Sequence, residues 1–289
     1  MRQSESQFLR IRGLRYHVRH WRSADAPKMV LLHGWMDVSA SFQFMVDALR
    51  ADWDVYAPDW RGYGLTDWGK ADCYWFPDYI ADLDALLEHI EPAAPVNLVG
   101  HSLGGNVGAL YAGVRPERIA RFVNLEGFGM APTRAEQAPE RYARWLEELR
   151  EPPGLRPYES FAVLADRLQA GNRRLSRDKA QFLARHWGQE LAGKGVVLRG
   201  DPAHKIVNPV LYRYEEVRAC WQKVRAPVLW VQGAESETPS RLHLDAAQIA
   251  ERRAAFPNVR EASVPEAGHM LHHDQPEAVA RLLEEFLSA

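Results

Sequence analysis

Apolar and polar positions alternate from Phe8 to Trp21 around Gly13-Leu14, the period of a two-strand hairpin at a sheet edge. The pattern then changes. Met29-Val30-Leu31-Leu32 is continuously apolar, which predicts a strand buried on both faces, as in a parallel sheet. Phe42 to Leu49 returns to helical spacing, and Val55-Tyr56-Ala57 predicts a second inner strand. Ile80, Leu83, Leu86, Leu87 and Ile90 mark one face of an amphipathic helix. A third inner strand follows at Val96 to Val99, then a helix from Leu103 to about Val114 and a short strand over Arg121 to Gly127, stopped by the glycine. Strands and helices in strict alternation predict an α/β fold with a mostly parallel central sheet flanked by helices.

From Gly129 to about Val224 the text becomes charge-rich, punctuated by proline and helical, with no convincing buried strand. Helices are expected over Ala138–Leu149, Tyr158–Leu168 and Arg177–Trp187. The strand pattern returns at Pro227 to Gly233, followed by a helix from about Ser240 to Phe256, a strand over Arg260–Val264 and a closing helix from Glu277 to Leu287. The expected division is therefore a core made of residues 1–128 and 225–289, interrupted by a helical cap at 129–224.

Composition narrows the partners. Hydrophobic residues make up 46% of 289, enough for a sizeable core. The formal net charge of −2, from 36 Lys+Arg against 38 Asp+Glu, points away from nucleic acid or an anionic membrane and towards a small, uncharged substrate. Cys73 and Cys220 are too few and too far apart for a disulfide framework or a zinc site. The polar amino terminus and the lack of a long apolar run predict a cytoplasmic protein, monomeric or homodimeric, without cofactor.

Candidate chemistry centres on Gly100-His101-Ser102-Leu103-Gly104, where the third inner strand turns into a helix. Glycines without Cβ let strand and helix pass closely, and a serine at the apex of so sharp a turn projects its hydroxyl at the carboxyl end of the sheet. The following helix start offers unpaired N–H groups to a developing oxyanion.

With His33-Gly34 after the first inner strand, Asp59-X-Arg61-Gly62-X-Gly64 after the second, the elbow after the third and Gly268-His269 near the end, the chain resembles the α/β-hydrolase superfamily over nearly its whole length. The resemblance implies Ser102 as nucleophile, His269 as its base, and the backbone N–H groups of Trp35 and Leu103 as the oxyanion hole. Trp35 is expected to wall the acyl pocket or to serve ordinary packing, and His101 and His33 to hold loops or shape the substrate pocket, not to accept protons. Asp59 and Arg61 are expected to be structural. His272 and His273 suggest a metal cluster, but no carboxylate or cysteine set completes it in the sequence, so no metal is expected.

The acid departs from the family pattern. Where members usually have Gly-X-X-Asp, this chain has Gly233-Ala234-Glu235-Ser236, with serine at the acid position. Glu126, at the end of the preceding sheet strand as in some haloalkane dehalogenases, is the expected replacement, and Glu235 is the alternative. The implied reaction is acyl transfer through an acyl-enzyme, most simply the hydrolysis of carboxylic esters with apolar acyl or aryl groups. A thioesterase, a lactonase, a carbon–carbon bond hydrolase or a perhydrolase would use the same site, and a ligand receptor with little turnover is the rival of another class. Arg156, Arg167, Arg173, Arg174 and Lys205 are the cations available for a substrate carboxylate, and cap aromatics such as Trp145, Phe182 and Trp187 are expected first to form the cap's own small core, with those that face the main domain roofing the pocket.

Overall fold

The computed structural model describes residues 1–289. The amino-terminal hairpin, β1 (Glu5–Ile11) and β2 (Leu14–Trp21), leads to β3 (Lys28–Leu32), α1 (Gln43–Ala48), β4 (Asp54–Pro58), α2 (Phe76–Ile90), β5 (Val96–His101), α3 (Leu103–Val114) and β6 (Ile119–Leu125). An insertion follows: α4 (Ala138–Arg150), α5 (Phe161–Gly171), α6 (Arg177–Trp187), β7 (Gly188–Leu191), β8 (Gly195–Leu198) and α7 (Tyr214–Trp221). The chain then returns through β9 (Val228–Gly233), α8 (Thr238–Arg241), α9 (Ala246–Ala254), β10 (Val259–Val264), α10 (Leu271–Asp274) and α11 (Pro276–Leu287).

Eight strands form one sheet in the order β1-β2-β4-β3-β5-β6-β9-β10. β2 runs antiparallel to both β1 and β4, and the remaining pairs are parallel. Alternation along β3 shows how the two faces are filled. Val30 and Leu32 join a cluster with Leu83 and Leu87 of α2, Val107 of α3 and Trp221 of α7. Met29 and Leu31 point the other way, to Met45 and Val46 of α1 and Val279 and Leu283 of α11. A strand covered on both faces has no polar face, which is why its sequence is continuously apolar.

The insertion has a smaller core, in which Leu164, Ala165, Leu183, Ala184 and Val196 pack with Phe44 from the main body. Its hairpin departs from the all-helical expectation for this span. β7 and β8 pair antiparallel about Gly193 and Gly195, both with positive φ, and strands of four residues are too short to show a period in the sequence. The single helix expected over 240–256 is likewise two, α8 and α9, separated by a turn in which His243 has φ 53°. No helix is long and apolar enough to cross a membrane.

Candidate active site

The turn from β5 to α3 is built by exclusion. A Cβ on Gly100 would come within 2.3 Å of the Gly104 carbonyl oxygen, and one on Gly104 within 2.1 Å of the Leu32 oxygen, so both positions must be glycine for α3 to lie against the sheet. Ser102 between them takes φ 52°, ψ −114°, a conformation that costs an L-residue of order 1–3 kcal/mol and persists only where the surroundings impose it. The Ser102 N–H donates to the Leu125 carbonyl at 2.8 Å, which helps to hold the turn.

Other non-glycine residues at the carboxyl end of the sheet share this left-handed backbone, among them Met36 in the turn after β3 (φ 55°) and Glu126 just past β6 (φ 59°). At Glu126 the bend turns the side chain under the loop that carries His269. One oxygen, Oε1, accepts the Gly233 N–H at 2.8 Å; the other, Oε2, accepts the Ser236 hydroxyl at 2.5 Å and lies 3.1 Å from His269 Nδ1. His269 Nε2 lies 3.1 Å from Ser102 Oγ. Serine, imidazole and carboxylate thus form one hydrogen-bonded line, with the carboxylate 1% exposed. A carboxylate that accepts Nδ1–H fixes the tautomer in which Nε2 is free to take the serine proton.

Ser236 occupies the position where the family usually carries its acid, and here its hydroxyl binds the carboxylate that arrives from β6 instead. Thr238 adds a further partner, its Oγ1 being 2.8 Å from His269 Nδ1. Neither residue was singled out from the sequence for this role, although the serine in the acid position was the signal that the loop was unusual. Glu235, the alternative acid, makes no hydrogen bond to His269; it pairs with Arg174 on an exposed surface.

Above this line is a cavity of about 430 Å³. Ser102, Glu126 and His269 reach its floor, Trp35 and Leu103 border it, and its apolar wall is Tyr74, Trp75, Phe76 and Tyr79, from the loop before α2 and the start of that helix. The cap aromatics form packing cores, as expected of them first, but none of those named reaches round to roof the cavity. Phe182 and Trp187 pack in the insertion's own core, Trp221 packs on α3, and Trp145 is not part of the cavity wall. From the insertion, the cavity receives Met130, His204, Ile206 and Asn208. His204, in a stretch whose sequence suggested a hinge or docking loop but no chemical role, is clamped between Tyr63 and Tyr74 at ring separations of 3.7 and 3.8 Å; burial pushes its pKa down to about 3, so it is neutral. Its carbonyl accepts the Trp35 indole N–H at 3.3 Å, joining the insertion to the turn after β3.

Of the two places expected for His101, the pocket wall is not the one it takes: it is 1% exposed and is not part of the cavity wall. As the last residue of β5 it turns behind Ser102, where its Nε2 lies 2.8 Å from the His269 carbonyl. His33 is also internal; its Nδ1–H donates to the Gly34 carbonyl and its Nε2 accepts the Trp60 N–H, and burial lowers its pKa to about 4. Asp59 is a structural hub that accepts from His17, Ser39 N–H and Leu65 N–H, and Arg61 pairs with buried Asp82. His272 does meet a carboxylate: Asp37, distant in sequence, comes to the same buried point as His101 and His272.

A nucleophile elbow at the carboxyl end of a mostly parallel sheet, facing a histidine backed by a buried carboxylate, is the arrangement of a hydrolase of the α/β class. The chain belongs to the α/β hydrolase fold family, whose sequence profile matches residues 27–276. It is 26% identical to a serine hydrolase-like protein of Danio rerio, over 92% of this chain and 83% of that one. Among solved structures it superposes on the thioesterase domain from the curacin biosynthetic pathway with a TM-score of 0.86, at 22% identity over 97% and 99% of the two chains. A Mycobacterium tuberculosis esterase gives a TM-score of 0.75 at 19% identity, over 99% and 92%.

Proposed function

We propose that the protein is a serine hydrolase that cleaves carboxylic esters with small to medium apolar acyl or aryl groups. The observation that carries this reading is the hydrogen-bonded line Ser102–His269–Glu126 opening directly into an aromatic-walled cavity. His269 takes the Ser102 proton as Oγ attacks the ester carbonyl, and Glu126 stabilises the imidazolium that results. The Leu103 and Trp35 N–H groups receive the tetrahedral oxyanion; the first of these has no intrahelical partner because Leu103 opens α3. His269 returns the proton to the leaving alcohol, and water repeats the sequence on the acyl-enzyme to release the acid.

The cavity wall favours esters over carbon–carbon substrates that carry a carboxylate. Arg156, Arg167, Arg173, Arg174 and Lys205, the cations considered for that purpose, do not border it, and the arginine that does, Arg241, is paired with Glu237 at 2.8 Å. The residues between β6 and β9 act in this reading as the cap, closing the cavity through His204 and Ile206. A panel of p-nitrophenyl esters of increasing acyl length tests the proposal. Turnover is expected for short to medium apolar acyl chains, with a loss on the order of 10⁴-fold or more in Ser102→Ala. No turnover by the wild type, or full activity in Ser102→Ala, would refute it.

A further inference from the structure

Behind the serine–histidine pair lies a cluster of buried donors that ester hydrolysis does not use. Asp37 follows β3, His101 ends β5 and His272 sits in α10, and one ligand atom from each lies within 4.8 Å of the others. All three residues are buried.

The hydrogen bonds around the cluster identify the atoms that face it. Asp37 Oδ1 accepts the Val38 N–H at 2.7 Å and the Ser41 hydroxyl, whereas Oδ2 has no partner. His101 Nε2 faces the His269 carbonyl, which can only accept, so Nε2 carries the proton and Nδ1 presents a bare lone pair. That Nδ1 is also unpartnered, as are both ring nitrogens of His272. Buried polar atoms in folded proteins are almost always satisfied, so several unsatisfied ones converging on a point mark a place built to receive something.

We propose that Asp37, His101 and His272 bind one divalent transition-metal ion, through Asp37 Oδ2, His101 Nδ1 and one ring nitrogen of His272. Two imidazoles and one carboxylate suit borderline ions such as Zn²⁺ or Co²⁺, whereas Mg²⁺ and Ca²⁺ prefer oxygen throughout. The outer contacts have the form such sites take. The second nitrogen of His101 donates to a backbone carbonyl, and the second oxygen of Asp37 is held by an amide and a hydroxyl. Ring centroids of His101 and His272 are 4.4 Å apart, close enough for both to reach one ion from adjacent directions.

The ion would take no part in the reaction, because none of its three ligands borders the cavity. It would clip together the turn that carries Trp35, the end of β5 beside Ser102 and the segment just after His269. The site stands whether or not the ester reading does.

Untagged protein produced in cobalt-supplemented medium and then desalted tests this. About one Co²⁺ per chain, with a visible ligand-field band, is expected for the wild type. His272→Gln and Asp37→Asn should each lose at least about tenfold of the bound metal, while His243→Gln, at an exposed loop, keeps it. Because the buried variants risk misfolding, crystals of the cobalt-loaded wild type give an independent reading: an anomalous peak between Asp37, His101 and His272. Cobalt below about 0.1 per chain, a peak elsewhere, or an unchanged band in both folded variants would overturn the proposal.

Discussion

Replacing Glu126 by glutamine tests the acid assignment, and the hydrogen bonds set the size of the effect. The wild-type carboxylate only accepts, taking Gly233 N–H on one oxygen and Ser236 O–H with His269 Nδ1–H on the other. A carboxamide has one accepting end. If its oxygen keeps the Gly233 N–H, its NH₂ faces His269 and favours the tautomer with the proton on Nε2, which cannot take a proton from Ser102. In a serine triad that exchange lowers kcat by about 10⁴-fold. Here Thr238 Oγ1, 2.8 Å from Nδ1, still accepts Nδ1–H and preserves part of the productive tautomer. The expected loss is therefore about 10³-fold in kcat, equivalent to about 4 kcal/mol of transition-state stabilisation. Glu235→Gln, at a surface pair with Arg174, should stay within about twofold. The assay is kcat and KM for a p-nitrophenyl ester on variants whose thermal unfolding is cooperative. A folded Glu126→Gln enzyme within about threefold of wild type, or a larger loss in Glu235→Gln, would refute the reasoning.

Other outcomes follow from the same contacts. Gly104→Ala places a methyl 2.1 Å from the Leu32 oxygen, a backbone clash that should cost about 3 kcal/mol or more and show as a lowered denaturation midpoint; an unchanged midpoint would contradict the close approach of α3. Asp82→Ala leaves the Arg61 guanidinium without its buried partner, for an expected loss of about 3–5 kcal/mol in chemical denaturation, and a change below about 1 kcal/mol would contradict the pairing. At Asp59, burial works to raise the carboxyl pKa, but the hydrogen bond and charge of His17, the charge of His33 and the Leu65 N–H outweigh it and hold the group below the usual carboxylate range. With the folded value depressed, its contribution is fully present above the unfolded carboxylate pKa of about 4 and is lost as pH falls towards the folded value. Stability measured in urea should therefore fall more steeply below about pH 5 in the wild type than in Asp59→Asn, and parallel curves would exclude the effect.

The parts of this fold that were legible in the sequence are those where one physical constraint acts locally. The apolar runs of β3 and β5 can only be strands covered on both faces, and Gly100-X-Ser102-X-Gly104 has a steric reason visible in five residues. The place of Glu126 beside His269 was legible through a departure elsewhere: serine at position 236 cannot stabilise an imidazolium as a carboxylate can, which leaves the neighbouring strand end to supply the carboxylate. Residues whose roles depend on long-range meeting were not. Nothing near Asp37 announces that it will face His272, and Tyr74 to Tyr79 look like the ordinary start of an amphipathic helix although they wall the cavity. The aromatics of the insertion form its core, as their helical spacing implies, but aromatic content signals a buried surface without saying which one, so their absence from the cavity wall is not legible. Of the two places open to His101, holding a loop or shaping the pocket, it takes the first, and sequence adjacency to Ser102 does not say which, because it does not give the direction of a side chain at the end of a strand.

The central claim, that Ser102 is the nucleophile of an acyl-enzyme, is tested most directly by trapping that intermediate. Wild-type protein mixed with a p-nitrophenyl ester and quenched with acid within the first turnovers should carry one acyl group, mapped by peptide mass spectrometry to Ser102. A Ser102→Ala control should carry none. Steady turnover without any adduct, or an acyl group on another side chain, would contradict the assignment.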